Sequence, residues 1–575
     1  MKNIQNTLSI AITGSGGSGV VTMGMLFLKA IACAGYYGLM TRSSGAQIRG
    51  GESAIMLRLG IHPVLCQDDS FKILMALDWF NFSRFADEIP LTEQSVVLYD
   101  PAMGDVPPVV IESGAQLKEI SLQALAKSIK GGRPNMLALG MLAAILDIDK
   151  KAIENAVNSV LGHKGTEVVA TSINCINVGF DTAPDTLSQQ KLPPAPISSQ
   201  HWNISGNEAA GLGALRGGVR LVAAYPITPA SEILEWMAPK LEKVGGTLIQ
   251  AEDELASINM VIGASFGGVP AMTATSGPGL SLMMEALGLA VASETPLVVI
   301  NVMRGGPSTG IPTKSEQSDL NIALYGMHGD APHLVLAPVN ISDCTFTTEW
   351  AVRLTERLQS VAIVLSDQSL GQSRAIIDTP DMAPILKERS TITTECESYQ
   401  RYALTDDGIS QMAIPGTPGC IYTADGLEHT VEGLPSSMAS DHQQQLEKRS
   451  AKLTQYDYGE QWAVQEGKGD ICLITWGSSS GVVIEAAQLL RADGLTVKTL
   501  AIRLLSPLPE QQFHIAVQEG KQLIVIEQNH QGQLFHYLNS LNLLPDRTRM
   551  LAHPGPLPVR AGEIVAFVKE SYNNE

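Results

Sequence analysis

The sequence predicts an α/β protein of three domains with mainly parallel sheets. Its 575 residues, at roughly 150 residues per domain, suffice for about three to four domains. Short β-branched strands alternate with helical stretches in three blocks of the chain, which is typical of parallel sheets with crossover helices. Hydrophobic residues make up 45% of the chain and charged residues 17%. This composition indicates a folded chain rather than a disordered one.

The first predicted domain covers residues 1–181 and is followed by a linker. The strand LSIAITG, a glycine turn, a helix over Val20–Ala34 and the strand SVVLYD indicate an open α/β sheet. At residues 182–200 the segment TAPDTLSQQKLPPAPISSQ contains four prolines in a polar background. This composition predicts an extended, exposed connection to the rest of the chain.

Two further α/β domains follow, separated by a less regular stretch. Residues 201–380 alternate strands such as RLVAA, PAMTAT and PLVVINVM with helical segments, which predicts a second parallel sheet. Residues 381–461 are poor in periodic strands and predict an irregular excursion that ends in a polar helix. Residues 462–575 resume with strand, glycine-serine turn, helix and the strand QLIVIE, which predicts a third α/β domain.

Charge, hydropathy and cysteine usage exclude several classes of protein. The net charge of −19 disfavours broad adhesion to nucleic acid or to an anionic membrane. The longest apolar run, Met136–Leu146, is shorter than the roughly 20 residues that a bilayer-spanning helix needs. The N-terminus resembles a first strand more than a signal peptide, so a cytoplasmic location is expected. The seven cysteines are dispersed without a CxxC pair, so no metal or cluster site is expected in this chain.

A glycine loop follows the first strand and fits the pattern GxGxxG. Its glycines are Gly14, Gly16 and Gly19. Such a loop lets backbone N–H groups approach a phosphate. The first acidic residue of the chain is Glu52, too far along for the carboxylate that binds the ribose of NAD. A tight turn without any ligand explains the same pattern.

Cationic residues near this loop favour an anion there. Residues 1–51 include Arg42 and Arg49 and contain no carboxylate, although the whole chain is strongly acidic. This asymmetry favours a phosphate-bearing ligand or an acidic partner surface. A plain surface loop over TRSSGAQIRGGES is the competing interpretation.

The segment AEDELASINMVIGASFGG predicts a helix whose apolar stripe begins with a carboxylate. The stripe positions are Glu254, Ile258, Val261, Ile262 and Ser265. Glu252 and Asp253 can point elsewhere on this helix. A carboxylate on a buried stripe is costly unless it is paired or functional. A helix-start carboxylate favoured by the N-terminal dipole is the alternative, and the pattern leaves both open.

Three other segments end strands of the second domain. YPITP at residues 225–229 is held by two prolines and offers the hydroxyl and backbone N–H of Thr228. TSGPG at 275–279 is a second turn that leads into a helix, and Arg304 ends the strand PLVVINVM. Ligands in open α/β sheets bind at strand ends, and an arginine there can hold a carboxylate through two hydrogen bonds.

These motifs resemble a known enzyme family. GNEAAGLGALRGGVRLVAAYPITPASEILEWM, the AEDE helix, the segment from TSGPG to YGMHGD and the C-terminal VIEQNHQGQL are similar to the alpha subunit of 2-oxoacid:ferredoxin oxidoreductases. GSGGSG and SSGAQIRGGES resemble the gamma subunit of the same enzymes. The chain therefore resembles a fused gamma-alpha subunit, most like the 2-oxoglutarate:ferredoxin oxidoreductase branch. The implied fold includes a pyrimidine-binding domain at 201–380 and a transketolase C-terminal-like domain at 462–575.

The resemblance implies thiamine diphosphate chemistry with CoA as co-substrate. Glu254 corresponds to the family's glutamate that hydrogen-bonds the aminopyrimidine N1′ of the cofactor. The implied cofactor contacts are Tyr225, Pro226, Ile227, Thr228, Glu254, Ser276 and Gly277. Thr228 and Arg304 would hold the substrate 1-carboxylate, and Lys314 and His328 are candidates for a second carboxylate. The glycine loop, with Arg42 and Arg49, is the candidate CoA or anion site.

The resemblance also implies partners. The chain lacks a GDG…N stretch for magnesium and diphosphate, and it lacks cluster cysteines. In the family both belong to a separate beta subunit, which would carry Mg²⁺ and the [4Fe–4S] cluster. The implied assembly is a dimer of alpha-beta pairs that passes electrons to ferredoxin.

The sequence leaves two alternatives open. The first keeps the reaction but changes the substrate to pyruvate, a branched-chain 2-oxoacid or an aryl pyruvate. Met327 stands where many family members have arginine, a departure that weakens the 2-oxoglutarate assignment. The second alternative is a non-catalytic nucleotide-binding subunit for electron transfer or regulation, which the glycine loop alone would allow.

Overall fold

The computed structural model describes residues 7–45, 51–184, 192–195 and 201–573, and these residues form two compact units. The first unit takes the described residues of Met1–Ser205, Gln372–Thr379 and Leu557–Glu575. The second takes Gly206–Gly371 and Pro380–Pro556. None of the described helices is both long and apolar enough to cross a bilayer.

The strands are numbered here in chain order. They are β1 (Leu8–Ser15), β2 (Tyr37–Ser44), β3 (Glu52–Gly60), β4 (Ile73–Ala76), β5 (Val96–Tyr99), β6 (Gln116–Glu119), β7 (Trp202–Ser205), β8 (Leu221–Ala224), β9 (Thr247–Gln250), β10 (Ala271–Thr275), β11 (Leu297–Met303), β12 (Leu334–Leu336), β13 (Val361–Asp367), β14 (Arg374–Ile377), β15 (Thr391–Ile392), β16 (Met412–Ala413), β17 (Ala463–Glu466), β18 (Ile471–Trp476), β19 (Val497–Ile502), β20 (Leu504–Ser506), β21 (Gln522–Glu527) and β22 (Arg549–Ala552).

The α-helices follow the same order. They are α1 (Val20–Cys33), α2 (Pro108–Glu112), α3 (Leu122–Ser128), α4 (Pro134–Ile145), α5 (Lys150–Leu161), α6 (Thr166–Asp181), α7 (Gly206–Gly217), α8 (Ser231–Leu241), α9 (Glu254–Phe266), α10 (Gly277–Ala292), α11 (Leu320–Tyr325), α12 (Ile341–Leu358), α13 (Gln368–Gln372), α14 (Ala439–Thr454), α15 (Ser479–Ala492), α16 (Glu510–Val517), α17 (Gln533–Ser540) and α18 (Ala561–Asn573).

The first unit is built on one eight-stranded sheet in the order β6-β5-β4-β1-β3-β2-β14-β7. The strands from β6 to β1 are parallel, and those from β1 to β7 pair antiparallel. A hydrophobic core of residues from β1, β3, α1, α4 and α5 covers one face. The longest apolar run of the sequence forms α4, whose side chains are nearly all buried in this core. Burial inside a domain therefore explains that run.

The first unit also collects segments from far along the chain. β7 and β14 extend its sheet, and α18 belongs to it. The Nη2 of Arg560 donates to the Glu88 carbonyl at 2.9 Å, and the N–H of Gly562 donates to Asp69 Oδ1 at 3.1 Å. This grouping differs from the sequence-based division, which places 557–575 with the third domain and begins the second at 201. Of the expected linker at 182–200, residues 185–191 and 196–200 lie outside the described residues.

The second unit contains two main sheets. The larger has the order β20-β12-β13-β11-β10-β8-β9 and is parallel except for β20. The smaller has the order β17-β19-β18-β21-β22 and is parallel except for β17. The mainly parallel α/β architecture predicted from the sequence is confirmed in this unit.

The excursion at residues 381–461 contains the expected polar helix, α14, and the two-residue strands β15 and β16. A fully buried carboxylate just after α10 anchors it. Lys448 Nζ lies 2.6 Å from Glu294 Oε1, and Lys452 Nζ lies 2.8 Å from Glu294 Oε2. Arg401 donates to the Glu294 carbonyl at 2.8 Å. These four residues are called the Glu294 cluster below.

Charge balance shapes this cluster. Burial alone would raise the pKa of Glu294, but the charges of Lys452, Lys448 and Arg401 hold it well below its usual range. Burial lowers the pKa of Lys448 to about 8, although the Glu294 carboxylate opposes this change. Three buried cations therefore depend on one carboxylate.

Candidate active site

Four neighbouring strands of the larger sheet in the second unit end in the segments that the sequence singled out. β11, β10, β8 and β9 are adjacent and parallel. Their carboxyl ends lead into Arg304, the TSGPG turn, YPITP and the AEDE segment. Because carboxyl ends of parallel strands share one edge of a sheet, the fold brings these four segments together.

Glu254 is the first residue of α9, and it is buried with a relative exposure of 7%. Asp253 is the N-cap, since its carboxylate accepts a hydrogen bond from the Ala256 N–H at 2.7 Å. Asp253 thus satisfies the helix terminus, and Glu254 does not serve as the cap. Glu252 is exposed. The helical phase predicted from the sequence is therefore the phase in the structure, apart from a half-buried Ile262.

The Glu254 carboxylate lies against the start of α10. A Cβ on Gly279 would come within 2.7 Å of Glu254 Oε1, so a glycine there leaves the carboxylate unobstructed. Among the described residues no group donates a hydrogen bond to this carboxylate. Ser276, the N-cap of α10, is fully buried, and its Oγ also lacks a partner within the described part of the chain.

The YPITP loop is fixed from two sides. Asn207, on α7, donates from Nδ2 to the Pro229 carbonyl at 3.0 Å. Arg304 donates from Nη1 to the Thr228 carbonyl at 2.6 Å. Tyr225 and Pro226 are exposed, while Ile227 and Thr228 are half-buried. The loop is held through its backbone and presents Tyr225 and Pro226 to the outside of the unit.

Arg304 is a buried cation next to the half-buried acid Asp319. Burial lowers the pKa of Arg304, and the charge of Asp319 opposes that change. Burial raises the pKa of Asp319, against the hydrogen bonds from Asn301 Nδ2 at 2.8 Å and Ser318 Oγ at 2.9 Å. Gly277 lies against the same carboxylate. Arg304 Nε has no partner among the described residues.

Asn207, Asn301 and Asp319 were not among the residues predicted from the sequence. Asn301 carries a usable signal, because it is a buried amide within the otherwise apolar strand LVVINVM. A polar side chain in such a strand requires a hydrogen-bond partner. Asp319 and Asn207 carry no comparable local signal, since both stand among polar or small residues in the sequence.

The two candidates for a distal carboxylate differ in position. Lys314 is half-buried in the loop that follows β11, and its carbonyl accepts from the N–H of Gly305 at 3.0 Å. It therefore belongs to the same loop as Arg304. His328 is exposed after α11, beside the buried Met327. The six residues of α11 separate it from Asp319 by about 9 Å of helix.

Gln317 ties the Arg304 loop to the smaller sheet of the second unit. Its N–H donates to the Gln528 carbonyl at 2.8 Å, and its Nε2 donates to the Trp476 carbonyl at 2.8 Å. Its Oε1 accepts from Ser479 Oγ at 2.8 Å. A fully buried amide with three such partners holds the loop rigidly.

The N-terminal glycine loop is closed by groups of the protein itself. Ser15 donates to Asp78 Oδ2 from both N–H, at 2.9 Å, and Oγ, at 2.8 Å. The Gly16 N–H donates to the Gly51 carbonyl at 2.6 Å. Gly19, with φ of 89°, precedes α1 as its N-cap, and Gly14 lies close to Asp78. A phosphate at this loop would therefore stand beside a carboxylate.

The two arginines expected near the loop lie differently. Arg42 is half-buried in β2, in register with Ile55 of the neighbouring strand. Arg49 lies outside the described residues. Within the described ranges, no group of three His, Cys, Asp or Glu side chains is arranged to hold a metal ion.

Comparisons with known proteins identify three family regions. Residues 212–448 match the model described as pyruvate flavodoxin/ferredoxin oxidoreductase, thiamine diphosphate-binding. Residues 9–182 match pyruvate ferredoxin/flavodoxin oxidoreductase, and residues 460–545 match the transketolase C-terminal domain. The thiamine diphosphate-binding model extends through most of the excursion, so that stretch is part of the family domain.

Similar proteins align along nearly the whole chain. The alpha subunit of 2-oxoacid:ferredoxin oxidoreductase from Saccharolobus solfataricus is 31% identical, over 98% of this chain and 97% of its own. The 2-oxoglutarate oxidoreductase subunit KorA from Mycobacterium tuberculosis is 31% identical, over 87% and 82%. A solved 2-oxoglutarate:ferredoxin oxidoreductase from Magnetococcus marinus, with 2-oxoglutarate, coenzyme A and succinyl-CoA bound, covers 98% of this chain and 99% of its own. It is 37% identical, with a TM-score of 0.89.

The identities extend over both the glycine-loop domain and the domain that carries Glu254 and Arg304, so the resemblance drawn from the motifs is confirmed. The chain belongs to the 2-oxoacid:ferredoxin oxidoreductases, as an alpha subunit with a fused gamma-type domain, and is most like the 2-oxoglutarate branch.

Proposed function

We propose that this chain is the alpha subunit of a 2-oxoglutarate:ferredoxin oxidoreductase. The enzyme would convert 2-oxoglutarate and CoA to succinyl-CoA and CO₂, or run the reverse carboxylation, with two electrons exchanged with ferredoxin one at a time. The observation that carries this proposal is the alignment, at 37% identity over 98% of the chain, with the Magnetococcus marinus enzyme. A separate beta subunit would supply Mg²⁺, the [4Fe–4S] cluster and the other half of the cofactor site, in a dimer of alpha-beta pairs.

The residues at the sheet edge fit the aminopyrimidine half of thiamine diphosphate. Glu254 is a buried residue whose carboxylate has no donor among the described residues, and the Oγ of Ser276 is a buried atom without a partner there. Buried polar atoms are normally hydrogen-bonded, so the unpartnered Ser276 Oγ beside an available carboxylate supports a polar ligand at this place. A carboxylate can accept a hydrogen bond, and a hydroxyl can either donate or accept one. Together they suit the ring nitrogens and the amino group of a pyrimidine. Tyr225, Pro226, Ile227, Thr228 and Gly277 would complete the contacts.

The chain's own residues then have distinct tasks. When bound, thiamine diphosphate supplies the nucleophile for the 2-oxo carbon and the electron sink for decarboxylation. Glu254 would share a proton with the pyrimidine N1′, and the Asp253 cap leaves its carboxylate available for this task. Arg304 and Thr228 would hold the substrate 1-carboxylate until CO₂ leaves. The Gln317 network keeps the Arg304 loop in place during these steps.

The direct test uses the chain together with its beta partner. Release of CO₂ from 1-labelled 2-oxoglutarate, dependent on CoA and on a ferredoxin or viologen acceptor, would support the assignment. Faster turnover of pyruvate, a branched-chain 2-oxoacid or an aryl pyruvate would change the proposed substrate but not the proposed type of reaction. Absence of turnover with every 2-oxoacid would favour the non-catalytic alternative.

The isolated chain should be colourless and inactive. Since no metal-binding group of side chains occurs in its described ranges, iron analysis of the purified single chain should find no stoichiometric cluster. Calorimetry should find no tight binding of thiamine diphosphate, and co-expression with the beta partner should restore colour and turnover. A stoichiometric iron–sulfur cluster in the single chain would contradict the proposed division of labour.

Arg304→Ala should impair the enzyme with every 2-oxoacid. Removing a charge-assisted hydrogen bond costs about 1.5–3 kcal/mol, which is roughly tenfold to more than a hundredfold in kcat/KM. The substitution also removes the donor to the Thr228 carbonyl, so Arg304→Lys, which keeps the charge, is the informative companion. If only 2-oxoglutarate is affected and pyruvate turnover is unchanged, Arg304 binds the distal carboxylate instead.

Lys314→Met should change the preference among 2-oxoacids more than the turnover of 2-oxoacids in general. If Lys314 holds the distal carboxylate, kcat/KM for 2-oxoglutarate should fall by about tenfold or more, because one charge-assisted contact is lost. Turnover of a 2-oxoacid without a second carboxylate should change little. His328→Gln is the comparison variant, because His328 is the other candidate for the distal carboxylate. It is exposed and lies beyond α11, further than Lys314 from the Arg304 loop. Equal losses for both substrate classes would exclude this role for Lys314.

A further inference from the structure

Two cysteines of the excursion lie side by side. Cys396 and Cys420 stand in irregular segments, and the N–H of Cys396 donates to the Pro418 carbonyl at 3.3 Å. The Cys396 thiol donates to the Ser398 carbonyl at 3.2 Å, and it is near enough to Cys420 to raise the pKa of that thiol. Cys420 is buried, whereas Cys396 is half-buried, and Ile421 next to the pair is 94% exposed. The pair therefore lies at the surface of the second unit with one sulfur more accessible than the other.

A tight turn produces this approach. The N–H of Cys420 donates to the Thr417 carbonyl at 3.2 Å. Gly419 has φ of 74°, and a Cβ at this position would overlap the Cys396 carbonyl. Only glycine allows both the left-handed backbone and this close contact. The sequence TPGC thus brings Cys420 against Cys396 by backbone geometry.

We propose that Cys396 and Cys420 form a redox-active dithiol that closes to a disulfide on exposure to a low-molecular-weight disulfide. Cys396, the more accessible thiol, would attack one sulfur of the oxidant as the thiolate, break its S–S bond and release one thiol. Cys420 would then attack the Cys396 sulfur and release the second thiol. Two protein S–H groups are oxidised to one S–S bond, and the oxidant is reduced to two thiols.

The order of attack agrees with the surroundings of each sulfur. Burial raises the pKa of Cys420, and the neighbouring Cys396 thiol raises it further. A thiol of this kind is a poor first nucleophile, but it reacts readily once a disulfide sulfur stands beside it. Cys396 therefore acts first and Cys420 resolves the mixed disulfide.

The bond would restrain the surface that covers the end of the Glu254 helix. Tyr422, two residues after Cys420, packs on Phe266 with ring centroids 5.6 Å apart, and Phe266 is the last residue of α9. Tyr399, three residues after Cys396, packs on Tyr422 at 5.7 Å. Closing the loop 396–420 covalently would reduce its freedom to open. Proteolysis between these two positions should be slower in the oxidised protein than in the reduced protein.

To test this proposal, the purified full chain is incubated at a series of ratios of glutathione disulfide to reduced glutathione. Free thiols are then alkylated, and the digest is analysed by mass spectrometry. We expect Cys396 and Cys420 to lose reactivity together and to appear in one linked peptide pair, and dithiothreitol should restore both thiols. If both residues remain alkylatable at the most oxidising ratio, or if Cys396 stops as a glutathione adduct, the proposal is wrong.

Two variants separate pairing from general thiol oxidation. Cys420→Ser should leave Cys396 as a glutathione adduct that does not resolve, because the second nucleophile is absent. Cys33→Ser, which removes an exposed cysteine of the first unit, should not change formation of the 396–420 link. A disulfide between any other two cysteines in the wild-type chain, in place of this link, would also overturn the proposal.

Discussion

Glu254→Gln is expected to depress decarboxylation and electron transfer together, by about 10²-fold or more, the loss typical of a positioned acid–base group. Glutamine keeps the size and hydrogen-bonding capacity of the side chain but cannot hold and return a proton. Because cofactor activation precedes every later step, no partial reaction should be spared. Binding of thiamine diphosphate to the assembled enzyme should change much less, and single-turnover CO₂ release alongside calorimetry checks both statements.

The matched control is Glu252→Gln, two positions earlier on the same segment. Glu252 is exposed whereas Glu254 is buried against Gly279, so the same chemical change at 252 should be nearly silent. Normal turnover by Glu254→Gln together with an inactive Glu252→Gln would mean that both the helical phase and the assignment of Glu254 are incorrect.

The contrast between these two glutamates shows what a sequence reveals about a site. The burial of Glu254 follows from the 3.6-residue period of α9, which is a local property and can be recognised in one segment. The grouping of Arg304, YPITP and TSGPG follows from the rule that parallel strands end at one edge of a sheet. Neither inference needs knowledge of distant contacts, and the structure places these residues accordingly.

Features that depend on distant contacts were not predictable in this way. The contact of Arg304 with the Thr228 carbonyl requires the relative position of two loops. The return of β14 and α18 to the first unit joins segments that are hundreds of residues apart. Asp78, which occupies the donors of Ser15, lies 63 positions further along the chain. The GxGxxG pattern favours a phosphate, but no property of that pattern indicates that a carboxylate of the same domain already stands there.

The excursion at residues 381–461 also depends on a distant contact that the sequence does not predict, and substitution at that contact should have a large effect. Its polar helix α14 was recognisable from composition, but the partner of that helix was not. Lys448 and Lys452 are one helical turn apart and converge on Glu294, over 150 positions earlier in the chain. A polar helix whose lysines are buried is therefore a docking element rather than a solvated one.

Glu294→Gln should greatly weaken the docking of this helix. Removing one partner of a buried ion pair typically costs about 3–5 kcal/mol, because the remaining charge stays buried without compensation. Here the substitution leaves the cations of Lys448, Lys452 and Arg401 around a neutral amide. Hydrogen exchange of the α14 amides should report this loss as a lower free energy of local opening, which a global unfolding experiment on a multidomain chain would not resolve.

The dependence of this loss on pH has a definite sign. The folded-state pKa of Glu294 lies below its unfolded value of 4.5, so its stabilising contribution is complete above that value and is lost as the pH falls below it. The folded-state pKa of Lys448, about 8, lies below its unfolded value of 10.5. The cost of burying its charge is therefore relieved as the pH rises between these values. The difference in the free energy of local opening of α14 between the wild type and Glu294→Gln should be largest near neutral pH. It should become smaller at both lower and higher pH.

Glu285→Gln is the matched control, since Glu285 lies on the exposed face of α10, the helix that Glu294 follows. The same substitution there should leave hydrogen exchange of the α14 amides unchanged at every pH, because an exposed carboxylate contributes little to stability.

If Glu294→Gln changed this exchange as little as Glu285→Gln near neutral pH, the lysines of α14 would have to reach water in solution. Lys448→Met would then be harmless as well. If instead the charges are buried, Lys448→Met should lower stability less than Glu294→Gln, because it removes one of three cations and leaves Glu294 with two.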